Sequence, residues 1–411
     1  MNKNTLAAVL GVVFDSYNNT LYGFFAVMLA PLFFSPDLGF SPIIGSFTAF
    51  AAGFVGRPFG GMLLGFLGDR LGRRIALVVS SLLATIPSFI IGLLPTYETV
   101  GVLAPFLLIF CRLLQGITVG ADYTGALIYV SEQKELKDKT TVICTSAAIG
   151  FFGGTLGVLV SLASSSSWFF TGNWRYAFIS AGLLGVYILF MRWNMDESPC
   201  FDEVKRNNSL DPNPFLSSLR HDYKNILACI VLGGANFVPV YLGTVYLNLH
   251  LKDMLELSQH AILVDNLFVY CITGFMIIFC ARFLRRFNEL TLMKLCGLWL
   301  LILSIPAYVL AYKFISLASL VGLQVFLHTV NALQIACLAI LMPKLFPTNR
   351  RYSGIAFSYT LGSALLGGMT PLFATWLEEH TQVAWGPGIY LFIVAALYLI
   401  AVWFVEQSNK R

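Results

Sequence analysis

The sequence predicts an all-α membrane protein of twelve transmembrane helices, arranged as two pseudo-symmetric six-helix bundles. Three observations lead there: the composition, the long apolar runs, and the uneven placement of basic residues. The 411 residues are 57% hydrophobic and 11% charged, where a soluble domain carries roughly 25% charged residues. Such a chain cannot hide its apolar residues in one aqueous core. The apolar residues are also gathered in runs, such as Val102 to Phe110, interrupted only by Pro105. A bilayer core of roughly 30 Å needs about 20 apolar residues per helix. Twelve stretches meet that need: 7–33, 45–68, 75–94, 102–131, 140–163, 175–194, 225–249, 263–282, 292–312, 315–343, 352–377 and 388–406.

Charge placement sets the orientation. With the N-terminus inside, 21 of the 26 Lys and Arg residues fall in inner segments. The inner set includes Arg70, Arg73, Arg74, Lys134, Lys137, Lys139, Arg192, Arg285, Arg286, Arg350, Arg351, Lys410 and Arg411. Only 3 fall outside, Arg175, Lys252 and Lys313, and Arg57 and Arg112 lie within helices. This is a positive-inside bias, and it places both termini in the cytoplasm. The formal charge of +5 reflects these loops and calls for no nucleic-acid partner. No cleavable signal peptide is expected, because the first apolar run is too long. The eight cysteines lie mostly within helices and form no CxxC pair, so they read as small packing residues. No metal site or disulfide framework is expected.

The chain divides into a six-helix bundle over 1–194, a cytoplasmic central loop over 195–224, and a second bundle over 225–411. That loop is too short for a soluble catalytic domain. Arg70 and Arg286 end the second and eighth helices, an offset of 216 residues. The same offset takes Arg112 to His328 and Gln115 to Asn331. The pattern suggests a duplicated six-helix unit. Transporters built from two such halves place their site near the midplane between them.

The loop after the second helix reads Gly65-Phe-Leu-Gly-Asp69-Arg70-Leu-Gly72-Arg73-Arg74. Its glycines permit a tight turn and close helix contact. Asp69 suits the N-terminus of a neighbouring helix through the helix dipole. The arginines suit anionic headgroups. The plain structural reading is a basic inner loop, but the Gly, Asp and Arg spacing is more specific than that.

This loop resembles the signature loop of the major facilitator superfamily, in which the acid helps latch the two halves on the cytoplasmic side. Gly65, Asp69, Arg70, Gly72, Arg73 and Arg74 are then the expected cytoplasmic gate. Arg112-Leu-Leu-Gln115-Gly116 is similar to the superfamily's fourth-helix motif. Further segments resemble the metabolite:proton symporter family within it. They are Gly53-Phe-Val-Gly-Arg57-Pro58-Phe-Gly60-Gly61, Leu94 to Gly101, Trp174-Arg175, Asp196 to Pro199, Phe346 to Gly354 and Gly367 to Pro371. Val119-Gly-Ala-Asp122-Tyr123-Thr-Gly-Ala126 is most similar to the proline and glycine betaine carriers of that family. The resemblance implies the major facilitator fold and a bacterial inner membrane. It also implies proton-coupled uptake of a small polar metabolite by alternating access, with a zwitterionic osmolyte or amino acid such as proline or glycine betaine as substrate.

The buried polar residues carry their own reading. Asp15, Asn18, Asn19 and Tyr22 are spaced i, i+3, i+4 and i+7 and share one face of the first helix. A carboxylate inside a membrane helix is costly and faces a cavity or a partner. Asp122 lies ten residues past Arg112, about 15 Å along the same helix. The first half therefore holds two buried acids, Asp15 and Asp122, and two buried bases, Arg57 and Arg112. Pairing among them is expected. One reading is a proton-coupled ion-pair network, in which a protonated acid releases its arginine. The other is a set of static pairs that fix helix packing. In the family a second acid stands three residues after the first in helix one. Here that position is Asn18, which leaves Asp15 or Asp122 as the coupling acid, or a uniporter.

In the second half, Gln324, His328 and Asn331 share one face of the tenth helix, with Gln334 close to it. Together with Asn236, Tyr241 and Tyr359, and with Asn18, Asn19, Tyr22, Gln115 and Tyr123, they are the candidate substrate residues. The structural reading of a lone membrane histidine is a hydrogen bond to a neighbouring helix. Asp265 reads as interfacial, and Arg285 stands where a second-half signature acid would be. Gly150, Gly153, Gly154 and Gly157 read as close helix packing, and Ser164 to Ser167 as an outer loop.

No nucleotide-binding signature, metal cluster or nucleophile triad is present, so no enzyme and no catalytic residue is expected. A non-transporting sensor would need an appended soluble module, and the tail to Arg411 lacks the coiled coil of some osmosensing relatives. Arg57 and Arg112 would also serve an organic acid such as a dicarboxylate or shikimate, which keeps that substrate class open. The expected partners are a small-molecule substrate, protons and the lipid bilayer. No cofactor is expected, the proton gradient being the energy source, and the chain is expected to act as a monomer.

Overall fold

With no water in the hydrocarbon, each spanning segment must satisfy its own backbone, which a helix does. In the computed structural model, which describes residues 3–35, 41–134, 138–165, 174–383 and 385–409, every regular element among the described residues is helical. Lys137, Lys410 and Arg411 of the inner basic set, and Ser166 and Ser167 of the outer serine run, lie outside these residues. The first six long helices are α1 (Lys3–Phe33), α2 (Pro42–Arg70), α3 (Arg73–Leu93), α4 (Leu103–Ser131), α5 (Lys139–Ser165) and α6 (Trp174–Trp193). Short helices at Pro199–Arg206 and Pro214–His221 occupy the central loop. The seventh helix, α7, runs through Tyr223–Tyr241, a π-turn at Leu242–Tyr246, and Leu247–Leu255. After it come α8 (Gln259–Leu284), α9 (Glu289–Lys313) and α10 (Leu317–Leu345). The eleventh, α11, consists of Arg351–Gly362, a π-helical stretch at Ser363–Gly368, and Thr370–Thr381, and α12 spans Gly386–Asn409. Ten of these helices are each long and apolar enough to cross a membrane. With α1 and the broken α11 they make the twelve transmembrane helices expected, counted over the described residues.

The two breaks have local causes. Pro239 sits inside α7 just ahead of its π-turn, where it removes one backbone donor. In α11 the π-helical stretch ends at Gly368, and Pro371 opens the next helical piece. Wide turns of this kind inside membrane helices are confined to protein-lined positions and are frequent at functional sites.

The chain forms two compact units. One comprises Met1–Glu135, Ile149–Ser217 and Thr348–Phe357, and the other Leu136–Ala148, Ser218–Pro347 and Ser358–Arg411. In the first, α2 packs along α4, α3 along α4 and α6, and α1 along α4 and α6. In the second, α8 packs along α10, α9 along α10 and α12, and α7 along α10 and α12. Raising each helix number of the first set by six gives the second. That correspondence is the duplication inferred from the 216-residue offset, now seen as packing. Large apolar side chains such as Phe106, Phe190, Phe268, Phe275 and Ile302 stay exposed on the outer faces. A water-soluble surface would not carry so many, and lipid tails cover them without cost.

Helices α2 and α4 touch backbone to backbone, which small residues permit in membranes. A Cβ on Gly116 would stand 2.0 Å from the Gly53 carbonyl oxygen, and one on Gly60 would stand 1.8 Å from that of Ile117. This contact aligns Arg57 on α2 with Arg112 on α4. Gly116→Val or Gly60→Val should force the helices apart and cost roughly 3 kcal/mol. The expected readout is a lowered unfolding temperature in detergent. Gly322→Ala, whose Cβ meets nothing within 4 Å, should leave it unchanged. Equal temperatures for all three variants would show that the close contact is not what holds α2 to α4.

Candidate functional site

A small polar cavity of ≈ 10 Å³ lies within the first unit, lined by Asp15, Asn18, Asn19, Gly53, Arg57, Ala84, Arg112, Gln115, Gly116 and Val119. It has room for about one water-sized group. The face of α1 foreseen from spacing supplies three of these residues. Asn18 and Gln115 are held in a continuous hydrogen-bond chain. The Arg112 guanidinium donates to Gln115 Oε1 at 2.7 Å, Gln115 Nε2 donates to Ser88 Oγ at 3.0 Å, and Ser88 Oγ donates to Asn18 Oδ1 at 2.9 Å. Asn18 Nδ2 then donates to the Phe14 carbonyl at 3.1 Å. The chain is neutral beyond Arg112, and Gln115, Ser88 and Asn18 each both accept and donate a hydrogen bond.

The charged residues of the cavity are used less fully. Asp15 is 5% exposed, accepts from Thr118 Oγ1 through Oδ1 at 3.4 Å, and leaves Oδ2 without a partner. Arg57 and Arg112 are each 3% exposed, and neither Nε finds an acceptor. No ion pair joins either arginine to a carboxylate among the described residues. Their guanidiniums lie over rings instead. Arg57 stands 4.0 Å from the Phe54 centroid, and Arg112 stands 4.2 Å from Tyr22 and 5.9 Å from Phe50. The Tyr22 hydroxyl is tied to the Ser46 carbonyl at 3.2 Å, which fixes the ring. Asn19 and Tyr123 are half-buried, and Tyr123 is not among the cavity residues.

The expected pairing of two acids with two bases is corrected here. Asp122 belongs to a different site and a different arginine. Its two oxygens take both ends of the Arg192 guanidinium at 2.5 and 2.9 Å, and Ser80 Oγ donates to Oδ1 at 2.7 Å. Arg192 also donates to the carbonyls of Ala7, Ala8 and Leu77 and to Ser81 Oγ. Counted among the inner cations by its position, it does not face solvent: the side chain is completely buried. A helix-terminal arginine reads as a loop cation from position alone. Here α1, α3 and α4 supply the acceptors that let it turn inward. Gly11 leaves the space, since a Cβ there would collide with the guanidinium.

The signature loop forms a second cluster within the same unit. Asp69 is fully buried and accepts from the backbone N–H groups of Tyr352 and Ser353 at 3.0 and 2.7 Å, in the first turn of α11. This is the helix N-terminus that the dipole argument required. Arg73 bridges Asp69 at 3.0 Å, Glu132 at 3.1 Å and the Thr348 carbonyl at 2.6 Å. Glu132 also takes Arg351 at 2.8 Å and the Ser198 hydroxyl at 2.5 Å. Gly72 has φ +121°, a conformation that favours glycine, and there Glu197 accepts from the N–H groups of Arg73 and Arg74. Gly65 packs a helix face against Ser353, where a Cβ would stand 2.8 Å from Cα. Arg70 and Arg74 each donate to a backbone carbonyl, that of Asp211 at 3.4 Å and that of Trp193 at 2.5 Å. Sequence reasoning missed Glu132 and Glu197. A lone acid at the end of an apolar helix and an acid beside a helix-opening Ser-Pro were the available signals. In the second unit, Arg285 meets Asp138 at 3.1 Å, with both side chains about half exposed. A pair of that kind contributes at most about 1 kcal/mol.

The second-half candidates gather on α7, α8, α10 and α11. Gln324 donates to the Gly243 carbonyl in the π-turn at 2.9 Å, His328 Nδ1 meets Thr273 Oγ1 at 3.0 Å, and Asn331 donates to Asn236 Oδ1 at 3.0 Å. Each is at most 2% exposed, and Gln324 Oε1, His328 Nε2 and Asn331 Oδ1 have no partner. Phe237 stacks on Tyr241 at an interplanar angle of 19° and meets Tyr359 at a tilted 56°. Asp265, read as interfacial, is half-buried on α8.

Burial works against the charge of Glu132, but Arg73, the Ser198 hydroxyl and Arg351 together hold its carboxyl below the usual range. The stability it contributes is therefore present above the ordinary Glu value of about 4.3 and is lost as pH falls through the lowered one. Glu132→Gln should cost on the order of 3 kcal/mol. The deficit in unfolding temperature should be full at pH 7 and close only in acid. A deficit that is the same at pH 7 and pH 3 would show that Glu132 acts through packing.

Three comparisons bear on this geometry. The sequence model of the Major Facilitator Superfamily matches residues 8–371. The glycine betaine/proline/ectoine/pipecolic acid transporter of Dickeya dadantii is 30% identical over 432 residues, spanning 100% of this chain and 84% of that one. The proline/betaine transporter of Escherichia coli is 30% identical over 431 residues, with the same coverage. Among solved structures, the proton:xylose symporter XylE bound to 6-bromo-6-deoxy-D-glucose superposes with a TM-score of 0.77 at 18% identity, covering 98% of this chain and 95% of that one. The repeated six-helix packing, the Asp69 junction and the full-length match all agree: the chain belongs to the major facilitator superfamily, a family of multi-pass membrane transporters.

Proposed function

We propose that this chain is a proton-coupled symporter that takes up a small zwitterion of the proline and glycine betaine class by alternating access. The observation that carries it is the cavity itself. One carboxylate and two guanidiniums line it, all at least nine-tenths buried, each with a polar atom left without a partner. Buried charges that the fold does not answer are there for something that comes and goes. The relatives named as glycine betaine and proline transporters supply the substrate class. A zwitterion fits because it offers a carboxylate to the arginines and a cation to the rings.

Asp15 is the proton-binding group in this reading, since Asn18 is locked in a neutral chain and Asp122 is held by Arg192. A proton on Asp15 removes the charge that would otherwise balance the two arginines, and leaves them to the substrate carboxylate. Access to the site alternates between the two sides of the membrane, the Asp69 junction serves as the cytoplasmic latch, and Gln324, His328 and Asn331 offer a further polar face for substrate in the second unit. The chain works as a monomer in a bacterial inner membrane with both termini in the cytoplasm. Arg57 and Arg112, with no carboxylate partner among the described residues, favour a second reading in which the substrate is an organic acid.

Uptake into proteoliposomes under an imposed pH gradient tests this, with labelled proline, glycine betaine, α-ketoglutarate and shikimate. Entry of the zwitterions that collapses with a protonophore is the expected result, and entry of the acids alone would overturn the substrate. Arg112→Ala should lower uptake by about 30-fold or more while the protein remains folded. Asp15→Asn should leave substrate exchange intact and abolish accumulation driven by the gradient. Unchanged accumulation by that variant would move proton coupling elsewhere.

A further inference from the structure

Resting on the zwitterion reading, we propose that Tyr22 and Phe50 form the subsite for the substrate's ammonium group, and that the Arg112 guanidinium occupies it until the substrate carboxylate draws it away. The two rings are nearly parallel, with an interplanar angle of 7° and centroids 6.3 Å apart. Arg112 lies within 6 Å of both centroids. That is the position a ligand cation takes over an aromatic face. The site is built to hold a cation and already holds one of its own.

Three observations make that cation exchangeable. First, Arg112 has no carboxylate partner among the described residues, and its Nε has no acceptor despite near-complete burial. A carboxylate entering the cavity would be its strongest available ligand, through two parallel hydrogen bonds. Second, the cavity of ≈ 10 Å³ is too small for a zwitterion while both guanidiniums lie against the rings. Their displacement is the natural source of space, because they end long flexible side chains. Third, Gln115 holds the opposite edge of Arg112 through Oε1, so the guanidinium can pivot without losing all its bonds. In glycine betaine the ammonium and the carboxylate are one methylene apart. A guanidinium that follows the carboxylate therefore vacates the ring face beside it for the ammonium.

The subsite also predicts what distinguishes substrates. A quaternary ammonium has no N–H to give Asp15 and must rely on the ring faces and on charge alone. A secondary ammonium, as in proline, can also donate to the free Oδ2 of Asp15. Ring loss should thus fall harder on glycine betaine than on proline.

The test uses the purified full-length chain in nanodiscs, with labelled glycine betaine displaced by unlabelled glycine betaine or by 3,3-dimethylbutanoate. The latter has the same shape and carboxylate with carbon in place of nitrogen, so it lacks only the positive charge. Wild type should prefer the betaine by about 10-fold or more. Tyr22→Leu and Phe50→Leu should each lower that preference severalfold, and Tyr22→Phe, which keeps the ring, should retain it. Should Tyr22→Leu fail to fold, Phe50→Leu, at a less buried ring, decides the matter by itself. A preference unchanged by ring loss, or an equal loss of affinity for both compounds, would overturn the ammonium subsite while leaving the transport reading in place. Failure of wild type to bind glycine betaine at all would overturn the substrate reading and the subsite with it.

Discussion

A charge inside hydrocarbon must be answered by polar groups within reach, because no water comes to its aid. The fork between Arg192 and Asp122 shows how completely this chain can do so. One guanidinium gathers a bidentate carboxylate, three backbone carbonyls and a serine from α1, α3 and α4. Those contacts pin the end of α6 to three neighbours and fix the bundle against which the cavity is defined. The same contacts hold α1, which carries Asp15 and Asn18, against α4, which carries Arg112.

Against that standard the cavity arginines stand out. Arg57 and Arg112 are as buried as a structural pair would be, yet they rest on aromatic faces and leave donors idle. Cation–π contacts stabilise a buried guanidinium by about 2 kcal/mol, less than a bidentate carboxylate would. The fold therefore holds these two charges loosely, within a chain that demonstrably holds others tightly. The same contrast separates the two junctions at the signature-loop positions. Asp69 is buried against a helix N-terminus and an arginine, whereas Arg285 and Asp138 meet half-exposed.

Much of this was legible in the sequence. Helix number and repeat follow from apolar length and the 216-residue offset, since both are one-dimensional properties. The α1 face of Asp15, Asn18 and Asn19 follows from helical period, and Asp69 as a helix cap follows from the loop spacing. What escaped was pairing between distant segments. Arg192 is 70 residues from Asp122, and nothing at the end of a hydrophobic run says whether an arginine turns outward to headgroups or inward to acceptors. Glu132 and Glu197 escaped for the same reason: their arginine and backbone partners lie on other helices. The π-turns of α7 and α11 were hidden as well, because Pro239 and Pro371 mark a weakened helix without saying how it relaxes.

Asn18 ties these threads together. In the family pattern an acid stands there, and an acid would put a second carboxylate within the hydrogen-bond chain that ends on Arg112. With asparagine, Oδ1 accepts from Ser88 and Nδ2 donates to the Phe14 carbonyl, so the chain is satisfied at both ends without any charge. The count in the cavity is then one acid and two bases, an excess of one positive charge. Had position 18 kept its acid, the site would be neutral before substrate arrived, and a carboxylate would have to compete for its arginine. With asparagine at position 18, Asp15 is the one carboxylate lining the cavity among the described residues.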